Sequence, residues 1–382
     1  MEEQKYKPTP NTLKNKGKTV GVFTVHRAFN YGALLQAIAT QWMIEKLGYK
    51  VKFINFFPKS VEKENKNHSL LTNAKGIAIY LYLQLNLAYN KRLQRFKDFR
   101  NKLKVTKRYF SVDELYQDPP EFDIYLAGSD QIWNLENGVK KHNFLDFIPN
   151  KGSRKVSFAS SFGTKQIPAK HKSDLKKLLT GYHAISVREI DGVNIIKDAT
   201  GMNVEQVLDP TLMMSADQWA KTMSSDKAPQ EDYILIYALN NDERSVELLE
   251  AVRKRYGMPV YGIPMGIKVP SKFKVDKEIQ DAGPAEFIYW IKHAKVICTS
   301  SFHGLAFSIN LGKTFYTVPH PTRNSRLNSL LSSLGLTRRQ EFNPLTIEDL
   351  NDSELFMDYK EIHKSLAELR KESLSFIETA LA

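Results

Sequence analysis

Val296-Ile-Cys-Thr-Ser-Ser-Phe-His-Gly304 reads as a buried strand that stops at Thr299-Ser-Ser301 and delivers His303 onto the first turn of a helix. Val296, Ile297 and Cys298 form a short apolar run with β-branched residues, the pattern of a strand covered on both faces. Gly304 lets the backbone turn closely, and Leu305, Phe307, Ile309 and Leu311 then give an apolar helix that ends at Gly312. In parallel α/β sheets, ligands gather at the carboxyl ends of strands, where the following helix offers free N–H groups and a partial positive charge. A histidine placed there can donate a proton to an anion held by those amides. A lone histidine is more often a satisfied interior imidazole; the strand, helix and glycine around His303 favour a site.

The same alternation runs through the chain. Residues 19–25 read as a first strand that enters His26-Arg-Ala-Phe-Asn-Tyr-Gly32. A helix follows over 33–47, with Leu34, Leu35, Ile38, Trp42, Met43 and Leu47 as its apolar face, and 51–56 is the next strand. This is a βαβ unit, so His26, Arg27, Asn30 and Tyr31 lie at the edge where a ligand would bind. The loop has no GxGxxG pattern, and no dinucleotide cofactor is expected. Residues 70–109 read as helices. The basic stretch 91–108 spaces Leu93, Phe96, Phe99 and Leu103 for one face. It suits either a surface helix meeting acidic lipid or, as we favour, a helix packing its aromatic face on the sheet.

A strand over 122–127 ends in Gly128-Ser-Asp-Gln-Ile-Trp-Asn134. There Ser129, Gln131 and Asp130 could meet sugar hydroxyls while Trp133 covers a pyranose face; an Asx-type turn with Trp133 in the core is the plainer alternative. Strands over 156–159 and 184–187 bring Ser160 and Arg188 to the same edge, and a strand over 204–208 closes the half at Asp209-Pro210. Arg188 is then either an ion-pair partner for Glu189 or Asp191, or a clamp for a carboxylate or phosphate. A polar stretch, 214–230, separates this half from a second α/β unit. That unit has strands over 233–239, 259–263, 296–299 and 314–318, and Arg323, Asn324 and Arg326 precede a helix ending near Gly335. The expected organisation is a flexible arm (1–17), a first α/β domain (18–213), a second (231–345) and a helical tail (346–382).

With 382 residues, 42% of them hydrophobic and 25% charged, the chain can bury two cores. A single cysteine, Cys298, excludes an internal disulfide and fits a reducing cytosol. The polar, Lys-rich start has no apolar segment of a secretory signal, and the longest apolar run, 76–89, is broken by Gln84 and Asn86. The expectation is a cytoplasmic protein, soluble or peripheral on the inner membrane face. Lys and Arg exceed Asp and Glu by 13, which favours anionic partners. No zinc-finger, RNP or helix-turn-helix signature accompanies that charge, so no nucleic-acid partner is expected.

Six ordered blocks carry a resemblance: His26-Arg-Ala-Phe-Asn-Tyr-Gly-Ala-Leu-Leu-Gln36, Gly128-Ser-Asp-Gln-Ile-Trp-Asn134, Ser157-Phe-Ala-Ser-Ser-Phe-Gly163, Ile185-Ser-Val-Arg-Glu189, Val207-Leu-Asp-Pro-Thr211 and Ser301-Phe-His-Gly304. Together they make the chain similar to the polysaccharide pyruvyl transferase family. The resemblance implies an α/β fold of two Rossmann-like domains facing across a cleft, similar to the B-type glycosyltransferase fold. It also implies transfer of pyruvate from phosphoenolpyruvate onto two sugar hydroxyls as a cyclic ketal, in the biosynthesis of a surface polysaccharide such as a capsule. In such relatives the donor is held by an Arg matching Arg188 and by an Arg-Leu-His-type block matching Ser301, Phe302 and His303, followed here by Gly304. Ser301 stands where that block begins with Arg, so Arg326 or Arg323 is the candidate substitute.

The resulting expectation makes His303 the general acid, Asp130 a candidate base, and Arg188 with the amides after His303 the anion site. The loop residues of the first half (His26, Arg27, Asn30, Tyr31, Ser129, Gln131, Trp133 and Ser160) face a sugar or lipid-linked acceptor. Neither metal nor cofactor is expected beside the donor substrate. Two other functions share these features: a nucleotide-sugar glycosyltransferase of the same plan, and a non-catalytic protein binding acidic glycans or other anions.

Overall fold

The computed structural model describes residues 17–58, 77, 83, 85–149, 152–225, 228–238, 243–317, 324–341, 347, 351 and 355–382. The arm over 1–16 and most of the helical reading over 70–86 lie outside them. Seven strands form the first sheet: β1 (Thr19–Phe23), β2 (Lys50–Phe56), β3 (Val105–Tyr109), β4 (Ile124–Ala127), β5 (Arg154–Ser160), β6 (Ala184–Val187) and β7 (Glu205–Gln206). Their order is β3-β2-β1-β4-β5-β6-β7, and all pairs are parallel. A second parallel sheet holds β8 (Ile234–Tyr237), β9 (Val260–Gly262), β10 (Lys277–Glu278), β11 (Val296–Thr299) and β12 (Thr314–Tyr316), in the order β10-β9-β8-β11-β12.

Each sheet reverses its winding once. In the first the reversal lies between β1 and β4, and in the second between β8 and β11. Such switch points leave a crevice beyond the strand ends. The loops after β1 and β4 are those read as ligand loops, and β11 is the strand that delivers His303.

The helices that frame these crevices are α1 (Tyr31–Lys46), α2 (Leu87–Arg100), α3 (Ile190–Thr200), α4 (Pro210–Met213), α5 (Pro284–His293), α6 (Phe302–Asn310), α7 (Ser325–Ser333) and α8 (Lys360–Leu381). Asn30 caps α1 by accepting from the Ala33 amide at 3.0 Å, so the helix starts two residues earlier than apolar spacing suggests. Residues 105–109, read as helix, form edge strand β3; three of the five, Val, Thr and Tyr, favour strand, and pairing with β2 decides the outcome.

The halves are tied together at several points. Tyr31 stacks on Phe287 with ring centres 4.6 Å apart, and its hydroxyl donates to the Ala282 carbonyl at 2.8 Å. The basic helix α2 buries Phe96 and Phe99 and turns Arg92 and Arg95 to the second half. Arg92 donates to the Met265 and Gly266 carbonyls, and Arg95 pairs with Glu286 at 3.2 Å. Helix α8 follows the second sheet in sequence but returns to the first. Its Ser373 hydroxyl accepts from the Leu208 amide at 2.9 Å, and the Leu381 carbonyl accepts from Tyr49 at 2.8 Å. Among the described residues, no helix is long and apolar enough to cross a membrane.

Candidate functional site

Asp209 is the hub of the site. It ends the segment after β7 and caps α4, with Oδ1 accepting from the Thr211 amide and hydroxyl at 2.9 and 2.6 Å. Oδ2 accepts from Arg188 Nη1 at 2.7 Å and from the Ser129 hydroxyl at 2.7 Å. From the other half, His303 Nε2 stands 3.8 Å from the same oxygen, an ion-pair distance too long for a hydrogen bond. Burial alone would raise this carboxyl's pKa. The His303 imidazole, the Arg188 guanidinium and Thr211 outweigh burial and hold it far below the usual carboxylate range.

Arg188 leaves β6 and lies across the face of Phe302, its guanidinium carbon 4.4 Å from the ring centre. Besides Asp209 it faces Glu189, with Nε 3.7 Å from Oε2. Burial works against its charge, and the Asp209, Glu189 and Asp130 carboxylates more than restore it, so its pKa is raised. Its Nε and Nη2 have no hydrogen-bond partner among the described residues. Arg188 is thus an ion-pair partner, as one of the two readings of the sequence had it, with two donors left over. Glu189 in turn shapes the loop after β5, with Oε1 accepting from the Ser161 hydroxyl and the Phe162 and Gly163 amides at 2.8, 2.9 and 3.1 Å.

His303 occupies the second position of α6. Ser301 caps that helix by accepting from the Gly304 amide at 3.4 Å, and the first N–H groups of the helix have no intrahelical acceptor. The imidazole packs on the first half: a Cβ added to Gly32 would lie 1.9 Å from His303 Nδ1, so only glycine leaves room for the ring. Gly304 has an equally local reason, since its Cβ would lie 2.3 Å from the Thr299 hydroxyl.

Arg326 sits in the first turn of α7 rather than before it, and is buried. With the Gln131 amide turned to present oxygen, that oxygen accepts from both terminal nitrogens of Arg326 at 2.7 and 2.8 Å. Arg323 lies outside the described residues. Asp130 is half-buried at the end of β4 in the left-handed region, φ 75°, with Oδ1 accepting from the Gln131 amide at 2.8 Å. A non-glycine residue held in that region at a strand end stores backbone strain where function is usually found.

Other residues of the first half sit elsewhere. Trp133 is fully buried, stacked on Phe144 at 5.2 Å with its indole N–H donating to the Asn143 carbonyl, so no face is left for a sugar. Tyr31 is consumed by the contact between the halves, and Asn30 is a helix cap. Ser160 is buried and donates to the Ala127 and Gly128 carbonyls. His26 and Arg27 lie at the ends of β1 and β2, where Arg27 covers the Phe57 ring at 5.2 Å.

Sequence reasoning gave no site role to Asp209 or Gly32, and saw Glu189 as a partner for Arg188 but not as the residue that shapes the loop after β5. Asp209 stood in view inside Val207-Leu-Asp-Pro-Thr211, where Asp before Pro signals a helix cap and nothing more. Its second role needs His303, which is far away in sequence.

A cavity of about 210 Å³ opens beside this network, lined among others by Arg188, Asp209, Phe302, Leu330 and Glu372. It falls below the roughly 300–1,000 Å³ of pockets for drug-sized ligands, and His303 is not among its lining residues.

Comparison with known proteins places the chain. No curated protein sequence matches it significantly. Among solved structures, UDP-N-acetylglucosamine 2-epimerase from Rickettsia bellii superposes with a TM-score of 0.50 at 10% identity, covering 95% of this chain and 97% of that one. A putative UDP-N-acetylglucosamine 2-epimerase from Listeria monocytogenes gives 0.46 at 10% identity, over 94% and 96% of the two chains. The glycosyltransferase AviGT4 of avilamycin A biosynthesis also gives 0.46 at 10% identity, over 95% and 97%. At 10% identity the likeness to the Rickettsia bellii enzyme concerns fold alone. The profile of the family described as polysaccharide pyruvyl transferase matches residues 30–321, from the cap of α1 to just beyond β12. Spanning most of both sheets and every residue of the Asp209 network, that match establishes that the chain belongs to the polysaccharide pyruvyl transferase family.

Proposed function

We propose that the protein transfers pyruvate from phosphoenolpyruvate to two hydroxyls of a sugar, forming a cyclic ketal and releasing phosphate, in the making of a surface polysaccharide. The observation that carries this reading is the pair of unpartnered Arg188 donors, Nε and Nη2, beside Phe302 and the start of α6. Arg188 and Phe302 also line the cavity of about 210 Å³.

The reaction needs C3 of the donor protonated so that C2 gains oxocarbenium character. One hydroxyl then adds to C2, phosphate leaves, and the second hydroxyl closes the ring. In this reading His303 gives the proton to C3. Asp209 places a carboxylate 3.8 Å from the His303 Nε2. The free N–H groups of α6 and the spare Arg188 donors take the donor's negative charge. Arg326, tied to Gln131, supplies a second guanidinium from the other half in place of the arginine absent at Ser301. Asp130, half-buried on the first half, is the candidate base for the acceptor hydroxyl.

The test is incubation with phosphoenolpyruvate and a panel of galactosides, mannosides and glucosamine derivatives, following phosphate release and gain of a pyruvyl group. Wild type should turn over and His303→Ala should lose at least roughly a hundredfold in rate. Thermal stabilisation by sugar nucleotides and not by phosphoenolpyruvate would favour a glycosyltransferase instead.

A further inference from the structure

The ends of β1, β2 and β3 carry a second set of polar groups that the Asp209 network does not use. His26 is 2% exposed. Its Nδ1 faces the Thr24 carbonyl at 2.9 Å and therefore carries the ring proton, leaving Nε2 as a lone pair that can only accept. No donor reaches that Nε2 among the described residues. Close by, Arg100 closes α2 with its guanidinium over the Phe29 ring at 5.3 Å. Its Nε and Nη2 are buried, and no acceptor reaches them among the described residues. Arg27 and Arg108 cover the two sides of the same corner, both over Phe57, at 5.2 and 4.9 Å.

These two unmet needs are complementary. An imidazole lone pair needs a hydroxyl, and two guanidinium N–H groups need an oxyanion. A neutral sugar would satisfy only the first; hydrogen phosphate, which carries one P–OH donor, could meet both only by spanning them as one small ion, whereas a sugar phosphate brings several hydroxyls at greater reach. We propose that this corner is a binding subsite for a sugar bearing a phosphate or diphosphate, whose hydroxyl donates to His26 Nε2 and whose oxyanion takes the Arg100 donors. That this sugar is the pyruvate acceptor rests on the function proposed above; the binding itself does not.

Two further observations agree. Burial, together with the charge of Arg27, brings the Arg100 guanidinium down to about 10, a cost that a bound anion relieves. The corner is also joined to the Asp209 network. Gln36 donates to the Thr24 hydroxyl and the Val25 carbonyl, and the Thr24 hydroxyl donates at 2.6 Å to the carbonyl of Ser129, whose own hydroxyl reaches Asp209. A ligand seated at His26 therefore rests on the loop that borders the site.

The test is titration calorimetry on the full chain. Galactose 1-phosphate, mannose 1-phosphate and N-acetylglucosamine 1-phosphate are compared with the parent sugars and with inorganic phosphate; a prenyl-diphosphate sugar separates a lipid-linked from a soluble source. The phosphorylated sugars should bind at least roughly tenfold more tightly than either half of the ligand, and Arg100→Gln should remove that advantage. Equal affinity for sugars with and without phosphate overturns the proposal. So does an unchanged affinity in Arg100→Gln. Should that variant not fold, the wild-type complex decides: phosphate seated away from Arg100 in its crystal structure overturns the subsite. Phosphoenolpyruvate is titrated separately; its failure to bind would sink the pyruvyl transfer reading and leave this subsite standing.

Discussion

A carboxylate sealed from water persists only if cations and donors surround it, and Asp209 draws them from both halves of the chain. Arg188 is the strongest of these partners, and the relation runs both ways. Removing the guanidinium leaves two fully buried carboxylates, Asp209 and Glu189, without their common cation. Arg188→Ala is therefore expected to cost about 3–5 kcal/mol of stability, measured by urea unfolding. Arg188→Lys keeps the charge, loses the flat contact with Phe302, and should cost less. Donor affinity in Arg188→Ala would confound folding with binding, which makes Arg326 the cleaner probe of the proposed donor site. At this scale the sequence was only partly legible. His303 and Arg188 could be found because strand-end positions are visible in a βα pattern. Trp133 and Tyr31 could not be sorted, because an aromatic after a strand looks the same whether it stacks on Phe144, on Phe287 or on a ligand.

Among the elements, α8 is the one whose place departs most from its position in sequence. Its apolar spacing marks a helix, yet nothing in the spacing says which sheet it covers. The structure lays it on the first sheet, where Phe376 approaches Phe158 and Arg370 reaches inward. Arg370 donates to the Leu212 and Met214 carbonyls and to the Asn310 side chain, whose amide donates back to the Thr211 and Met214 carbonyls. One guanidinium thus joins α8, the end of α6 and the turn that carries Asp209. Burial lowers it to about 10, so it stays charged at neutral pH. Arg370→Ala should lose about 2–3 kcal/mol in urea unfolding, since charged hydrogen bonds are broken and buried carbonyls are left bare. The other elements were legible wherever length and β-branching agreed. Two-residue strands such as β10 were not, being too short to carry any period.

For the molecule as a whole, the fold was legible because two βα alternations separated by a polar stretch admit few arrangements. How the halves meet was not, since Tyr31, Arg92 and Arg95 become interface residues only in three dimensions. Acid should weaken the assembled chain in two stages. His26 and His142 are both lowered to about 4, chiefly by burial, against about 6.5 when unfolded. Between those values the unfolded chain binds more protons, so stability falls as pH drops from about 6.5 towards 4. Asp209 has the opposite ordinary charge but the same direction of shift. Its contribution is complete above about 3.9 and is lost below that. Urea midpoints from pH 7 to 3 should show both slopes, and the double variant His26→Gln, His142→Gln should flatten the upper one alone.

The shared oxygen of Asp209 has one more implication. Arg188 reaches it from the same half, whereas His303 reaches it across the divide. Coulomb attraction weakens with separation, so a hinge opening of about two ångströms would weaken the contact across the divide by roughly a third while leaving the guanidinium pair untouched. The pair within the first half is therefore a fixed post, and the contact across the divide is the part that would yield first if the halves moved apart.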